Sequence, residues 1–150
     1  MSHQRKSAVI EAMLGVLEAR IQEAQSAREG LTKSRDTASK STAGDKHETG
    51  RAMMEAELSR AEDQLQKALR MRNELKQLPT GDLEVIGQGA WVQTNLGEFM
   101  VSIGIGRIVV DEIPCFALSG GSPLGQVILG ARVGDSCEFQ GRRYDVEAIH

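Results

Sequence analysis

Two carboxylates three residues apart mark the stretch of this chain whose residue types suggest chemistry, Gly44-Asp45-Lys46-His47-Glu48. Residues at i and i+3 are neighbours on a helix surface, so Asp45 and Glu48 can turn their oxygens to one side. Two carboxylates one turn apart can share a hard divalent cation such as Mg²⁺, with the remaining positions left to water or to a partner. Two ligands alone bind such an ion weakly, so a partner would have to hold most of it. The pair also fits a helix start. Asp45 as N-cap with Glu48 at the third helical position is a capping box, and acids in a first turn suit the helix dipole. The two readings are compatible, because a capping aspartate keeps one oxygen facing solvent.

Elsewhere the chemistry is sparse. His150 is the only histidine after His47. Gly87-Gln88-Gly89 and Gly104-Ile105-Gly106 are lone GxG pairs without the third glycine of a dinucleotide motif, and read as turns or bulges. Trp91 reads as a sheet or core residue rather than a ligand-stacking one. Cys115 and Cys137 form no CxxC and sit in apolar, strand-like contexts, so both read as reduced core thiols of a cytoplasmic protein.

The elements that position the acids come from periodicity. Apolar or small residues recur at Ile10, Leu14, Leu17, Ile21, Ala24 and Leu31, in steps of three, four or seven. A second run shows the same spacing at Met54, Leu58, Ala61, Leu65, Ala68 and Leu75. Arg28 and Arg72 take the skipped positions. This is a heptad seam on each of two helices. Each stripe is too narrow to be stable alone, and the polar link between them is short, so the two lie antiparallel. At ~1.5 Å per residue the hairpin would be a long finger, with its tip near residues 39–48. Pro79 and Gly81 stop the second helix.

Beyond that point the period changes from 3.6 to 2. Residues 83–86, 91–94, 98–105, 107–110, 115–118, 136–139 and 144–149 read as strands. Asn95-Leu96-Gly97 and Gln140-Gly141 read as hairpin turns. One short helix is expected up to Leu129, with Ser122 as N-cap, Pro123 at its first position and Gly130 closing it. The reading is α+β: a coiled-coil hairpin over residues 1–79, then an antiparallel-sheet domain with one short helix over 80–150, the two folding separately.

Composition supports the division. Residues 1–79 carry 14 Lys+Arg and 12 Asp+Glu, whereas 80–150 carry 4 and 9. A net charge of −3 argues against bulk binding to nucleic acid or an anionic membrane. No apolar run is long enough to span a bilayer, and Glu11 interrupts any signal-peptide core.

The order of parts resembles the GreA/GreB transcript cleavage factors. Ser122-Pro123-Leu124-Gly125-Gln126-Val127-Ile128-Leu129-Gly130-Ala131-Arg132-Val133-Gly134-Asp135 is similar to that family's SPxGxALLGxxxGD signature. Arg143-Tyr144-Asp145-Val146-Glu147-Ala148-Ile149 is similar to its closing strand, and Gly44-Asp45-Lys46-His47-Glu48 to its G-D-x-x-E tip. The tip's continuation, Thr49-Gly50-Arg51-Ala52, lacks the Asn-Ala and aromatic residue usual there. The resemblance implies an FKBP-like second domain and a cytoplasmic monomer that is not itself an enzyme. It implies binding to bacterial RNA polymerase, with Ser122 and Pro123 on the docking surface and the tip in the secondary channel. Asp45 and Glu48 would act there as catalytic acids on an Mg²⁺ shared with the polymerase, near the 3′ end of the nascent RNA. A non-cleaving regulator of the same channel is the alternative. A structural adaptor or FKBP-like chaperone is disfavoured by the few aromatic residues.

Overall fold

The computed structural model describes the backbone of residues 2–39 and 44–150 and the side chains of residues 4–37 and 50–150. Two long helices come first, α1 (Ser2–Ser39) and α2 (Gly44–Lys76). Six strands and a short helix follow: β1 (Trp91–Thr94), β2 (Gly97–Ser102), β3 (Gly106–Val110), β4 (Ile113–Ser119), α3 (Pro123–Ile128), β5 (Ser136–Phe139) and β6 (Arg142–Ile149). The architecture is α+β, a helical hairpin followed by a sheet with one short helix.

The chain divides into two compact units, and the boundary is not at residue 79. One unit is Met1–Gly15 with Asn73–His150, and the other is Val16–Arg72. The change of period marks where helix gives way to strand. It does not mark where packing changes, because the first turns of α1 and the last turn of α2 belong with the sheet.

In the helical unit the heptad stripe is the seam. Ile21, Ala24, Leu65 and Ala68 form one buried cluster, with Leu69 packed against it. Two ion pairs fix the direction. Glu18 bonds Arg72 across 54 residues and Arg28 bonds Glu62 across 34. The separation shrinks along α1 only if α2 runs the other way. The arginines at the skipped heptad positions are thus paired across the seam.

The sheet has the order β3-β4-β2-β1-β6-β5. β1–β2, β3–β4 and β5–β6 are antiparallel hairpins, and β6 closes back on β1. β2 and β4 are parallel, where an all-antiparallel sheet was expected. The β3–β4 hairpin folds back so that β4, not β3, lies beside β2. Residues 83–86 form no strand. Val85 makes one isolated bridge to Arg132, and Ile86 N–H donates to Ala131 O at 2.9 Å.

One face of the sheet carries the core. Val92, Phe99, Val101, Tyr144 and Val146 pack with Ile86 and with Ile128 of α3, and Phe99 meets Tyr144 edge-on at 5.8 Å. The opposite face carries Glu98, Met100 and Ser102, and the start of α1 meets it. Met13 is fully buried, its sulfur 3.9 Å from Ser102 Oγ. Full burial of one such side chain stabilises by about 1.5–3 kcal/mol. Trp91 is buried, as expected, and stacks on His150 at 5.2 Å.

Candidate functional site

α2 begins at Gly44, so Asp45 lies within its first turn instead of preceding it as the N-cap. Asp45 and Glu48 keep their one-turn spacing there. Their side chains lie outside the described residues. Among the described residues no group of three or more His, Cys, Asp or Glu could hold a metal ion. Among the described residues that follow, Arg51 faces Glu55 one turn on, at 3.8 Å, and Met53 is exposed. Gly50 sits inside α2 with open space where a Cβ would be, so no close approach requires a glycine there.

The Ser-Pro segment is described in full. Ser122 is the N-cap of α3, with extended backbone, and its Oγ accepts from Gly125 N–H at 3.1 Å. The same hydroxyl donates to Ser119 O at 2.7 Å. Pro123 follows at the first helical position, where its missing N–H costs nothing. Gly125 is required by space. A Cβ there would run into Ser119 O and lie 2.9 Å from Ser122 Oγ. Gly130, with φ +85°, closes the helix and donates to Ile86 O at 2.8 Å. Asp135 caps the next turn, its Oδ2 accepting from Arg132 N–H at 2.8 Å. Ser122, Pro123, Gly125, Gly130 and Asp135 therefore each have a local structural task. The apolar residues that the segment presents outward are Pro123, Val127, Leu129 and Val133, all exposed.

Asp145 completes the motif-bearing strands. Ser136 Oγ donates to it at 2.7 Å and Arg143 Nε at 2.9 Å. These bonds, that from Ser136 foremost, hold its carboxyl below the usual carboxylate range.

Residues that sequence reasoning missed anchor α1 to the sheet. Arg5 donates through Nε and Nη2 to Glu98 Oε2, at 3.2 and 2.9 Å, and through Nη1 to Val110 O at 2.7 Å. Lys6 is buried and donates to Gly81 O and His150 O at 3.1 and 3.2 Å. Burial pushes its pKa down, and the charge of Asp82 partly opposes that. The signal in the sequence was weak: two basic residues ahead of an amphipathic helix look like a solvated start.

Among solved structures the chain is similar to a transcription factor Gfh1, at 24% identity and a TM-score of 0.41, covering 93% of this chain and 94% of that one. It is also similar to the GreA factor homolog 1 (Gfh1) protein of Thermus thermophilus, at 23% identity and a TM-score of 0.36, covering 99% and 94%. A third is Thermus aquaticus Gfh1, at 24% identity and a TM-score of 0.31, covering 94% and 91%. No family model matches the chain, and no curated protein sequence matches it. Likeness at these values carries no argument about function, which rests on the residues.

Proposed function

We propose that this chain is a transcription elongation factor that binds bacterial RNA polymerase and presents the start of α2 to the polymerase's secondary channel. The observation that supports this best is placement. The Gly-Asp-x-x-Glu run opens the second helix of an antiparallel hairpin, in a chain that also carries the Ser122–Asp135 segment on its sheet unit. Ser122 and Pro123, with the exposed apolar side chains around them, supply the docking surface. Asp45 and Glu48 offer two hard oxygen donors one helical turn apart. They would complete the shell of an Mg²⁺ held mainly by the polymerase and orient a water beside it. The bound ion supplies Lewis acidity for hydrolysis of a backtracked RNA. The protein is then an accessory factor for the polymerase's own nuclease activity and has none of its own.

The tip's continuation supports a second reading. Thr49-Gly50-Arg51-Ala52 offers no aromatic residue, and Arg51 faces Glu55. A protein with this tip could occupy the channel without promoting cleavage. One assay separates the two readings. Asn matches Asp in size, and the charge it removes from the first turn of α2 is worth only about 0.3–1 kcal/mol against the helix dipole, but it brings no charge to a metal. Asp45→Asn should leave the helix content and melting temperature nearly unchanged while abolishing stimulated cleavage in a backtracked complex. Full cleavage by the variant would remove Asp45 as a ligand. A wild type that binds polymerase in a pull-down yet stimulates no cleavage would establish the channel regulator, and failure to bind would reject both.

A further inference from the structure

Strand β3 is an edge of the sheet. Its register with β4 places Val109 opposite Pro114. Proline has no N–H, so this pair cannot exchange ladder bonds, and bonded and non-bonded pairs alternate along an antiparallel ladder. The backbone N–H and C=O of Arg107 and Val109 therefore point away from β4, toward the open edge. The same register puts Arg107, Val109, Pro114 and Phe116 on one face, and Ile108, Cys115 and Ala117 on the other. The second set is buried, whereas Val109 is 51% exposed and Phe116 46%. An apolar face beside an open strand edge is a template for strand addition. Edges are usually blunted by lysine, proline or a bulge. Gly106-Arg107-Ile108-Val109-Val110 has no lysine or proline, and its pairing shows no register shift.

Charge indicates which strand fits. β3 carries a cation near its start, Arg107, and runs into the acidic turn Asp111-Glu112. That turn has φ of +52° and +65° and reverses the chain tightly. A second copy of β3 laid antiparallel brings each Arg107 toward the other copy's acidic turn and sets Val109 against Val109. A parallel arrangement would set like ends together. We propose that two copies of this chain associate through β3, edge to edge about a two-fold axis, joining their sheets. This departs from the monomer expected from sequence. The contact involves five-residue strands and a few side chains, below the ~1,200 Å² of stable interfaces. Association is therefore weak and appears only at high protein concentration.

Sedimentation velocity of the full chain over a range from micromolar to millimolar tests this. Wild type should move from monomer toward dimer, less so as salt is raised. Val109→Lys places a charge on the edge, and Arg107→Glu sets like charges together. Each should weaken the dimer by roughly tenfold or more, about 1.4 kcal/mol, with unchanged circular dichroism and melting. Both positions are exposed, so folding should be unaffected. Phe116→Ser serves as the second apolar variant. A wild type that stays monomeric throughout overturns the proposal. So does a dimer that all three variants leave intact, which would place the contact elsewhere. Protection of β3 amides from exchange only when a different protein is added would also overturn it, and would assign the edge to a partner's strand.

Discussion

The two cysteines show how environment sets reactivity at single residues. Both were expected to be core thiols. Cys115 is, at the centre of β4, whereas Cys137 on β5 is half-buried. Burial, then the charge of Glu98, push the Cys115 thiol from its ordinary 9.0 up to about 12, and Arg5 opposes them. Cys137 is pushed up less far, by burial and then by Asp135. A raised thiol pKa means that the folded state keeps a proton which the unfolded state gives up. The stabilising effect of the neutral thiol is full below 9.0 and is lost as pH rises from there toward about 12. The thiolate is the reactive form. At pH 8 a thiol reagent should therefore label Cys137 slowly and leave Cys115 untouched until the protein is denatured, as mass spectrometry of the labelled peptides would report. Equal labelling rates in the native protein would contradict the burial of Cys115.

At the scale of elements, the hairpin separates packing from pairing. Leu65 is fully enclosed in the seam, whereas Arg28 and Glu62 are each more than a third exposed. A large-to-small change in a sealed core costs about 2–5 kcal/mol, and an exposed ion pair contributes about 0.2–1 kcal/mol. In urea denaturation, Leu65→Ala should cost several times what Arg28→Ala costs. A reversed order would show that the cross-seam pairs, not the alanine-rich stripe, hold the helices together. The seam was legible from the heptads for Leu17, Ile21, Ala24, Ala61, Leu65, Ala68 and Leu75, all buried. Leu31, Met54 and Leu58 of the same stripes are only half-buried, and the stripe takes other residues at the start of α1. Val9 and Met13 are buried there, while Ile10 and Leu14 are only half-buried. Those turns belong to the sheet unit, so a stripe drawn for a helical partner takes the wrong face. The cap of α3 was legible because Ser122, Pro123 and Gly125 act within one turn of each other. The β3–β4 turn was missed because Asp111-Glu112 carries neither the glycine nor the asparagine that usually announces positive φ. The parallel β2–β4 pairing depends on partners far apart in sequence, which no local pattern encodes. Asp45 and Glu48 stand out in the sequence by their spacing, and both lie in α2, their side chains outside the described residues.

For the whole molecule, the unit boundaries change what a fragment should do. A period change after Leu78 suggested that residues 80–150 fold alone. The structure places Met1–Gly15 in the same compact unit as the sheet. A fragment of residues 80–150 loses Met13 from beside Ser102, and with it the Arg5 bonds to Glu98 and Val110 O. Glu98 is then left with its bond from Trp91 Nε1, at 3.4 Å. Met100, fully buried in the intact chain, lies on that same face. Uncovering one large apolar side chain costs about 1.5–3 kcal/mol, a sizeable part of the 5–15 kcal/mol that stabilises an ordinary domain. The fragment should therefore melt at lower temperature and less cooperatively than the full chain, and should bind a hydrophobic dye that the full chain does not. Adding a peptide of residues 1–15 at high concentration should restore part of the melting temperature, and the same peptide with Arg5→Ala and Met13→Ala should not. A fragment as stable as the intact chain would show that the start of α1 rests on the sheet without supporting it, and would return the boundary to the period change.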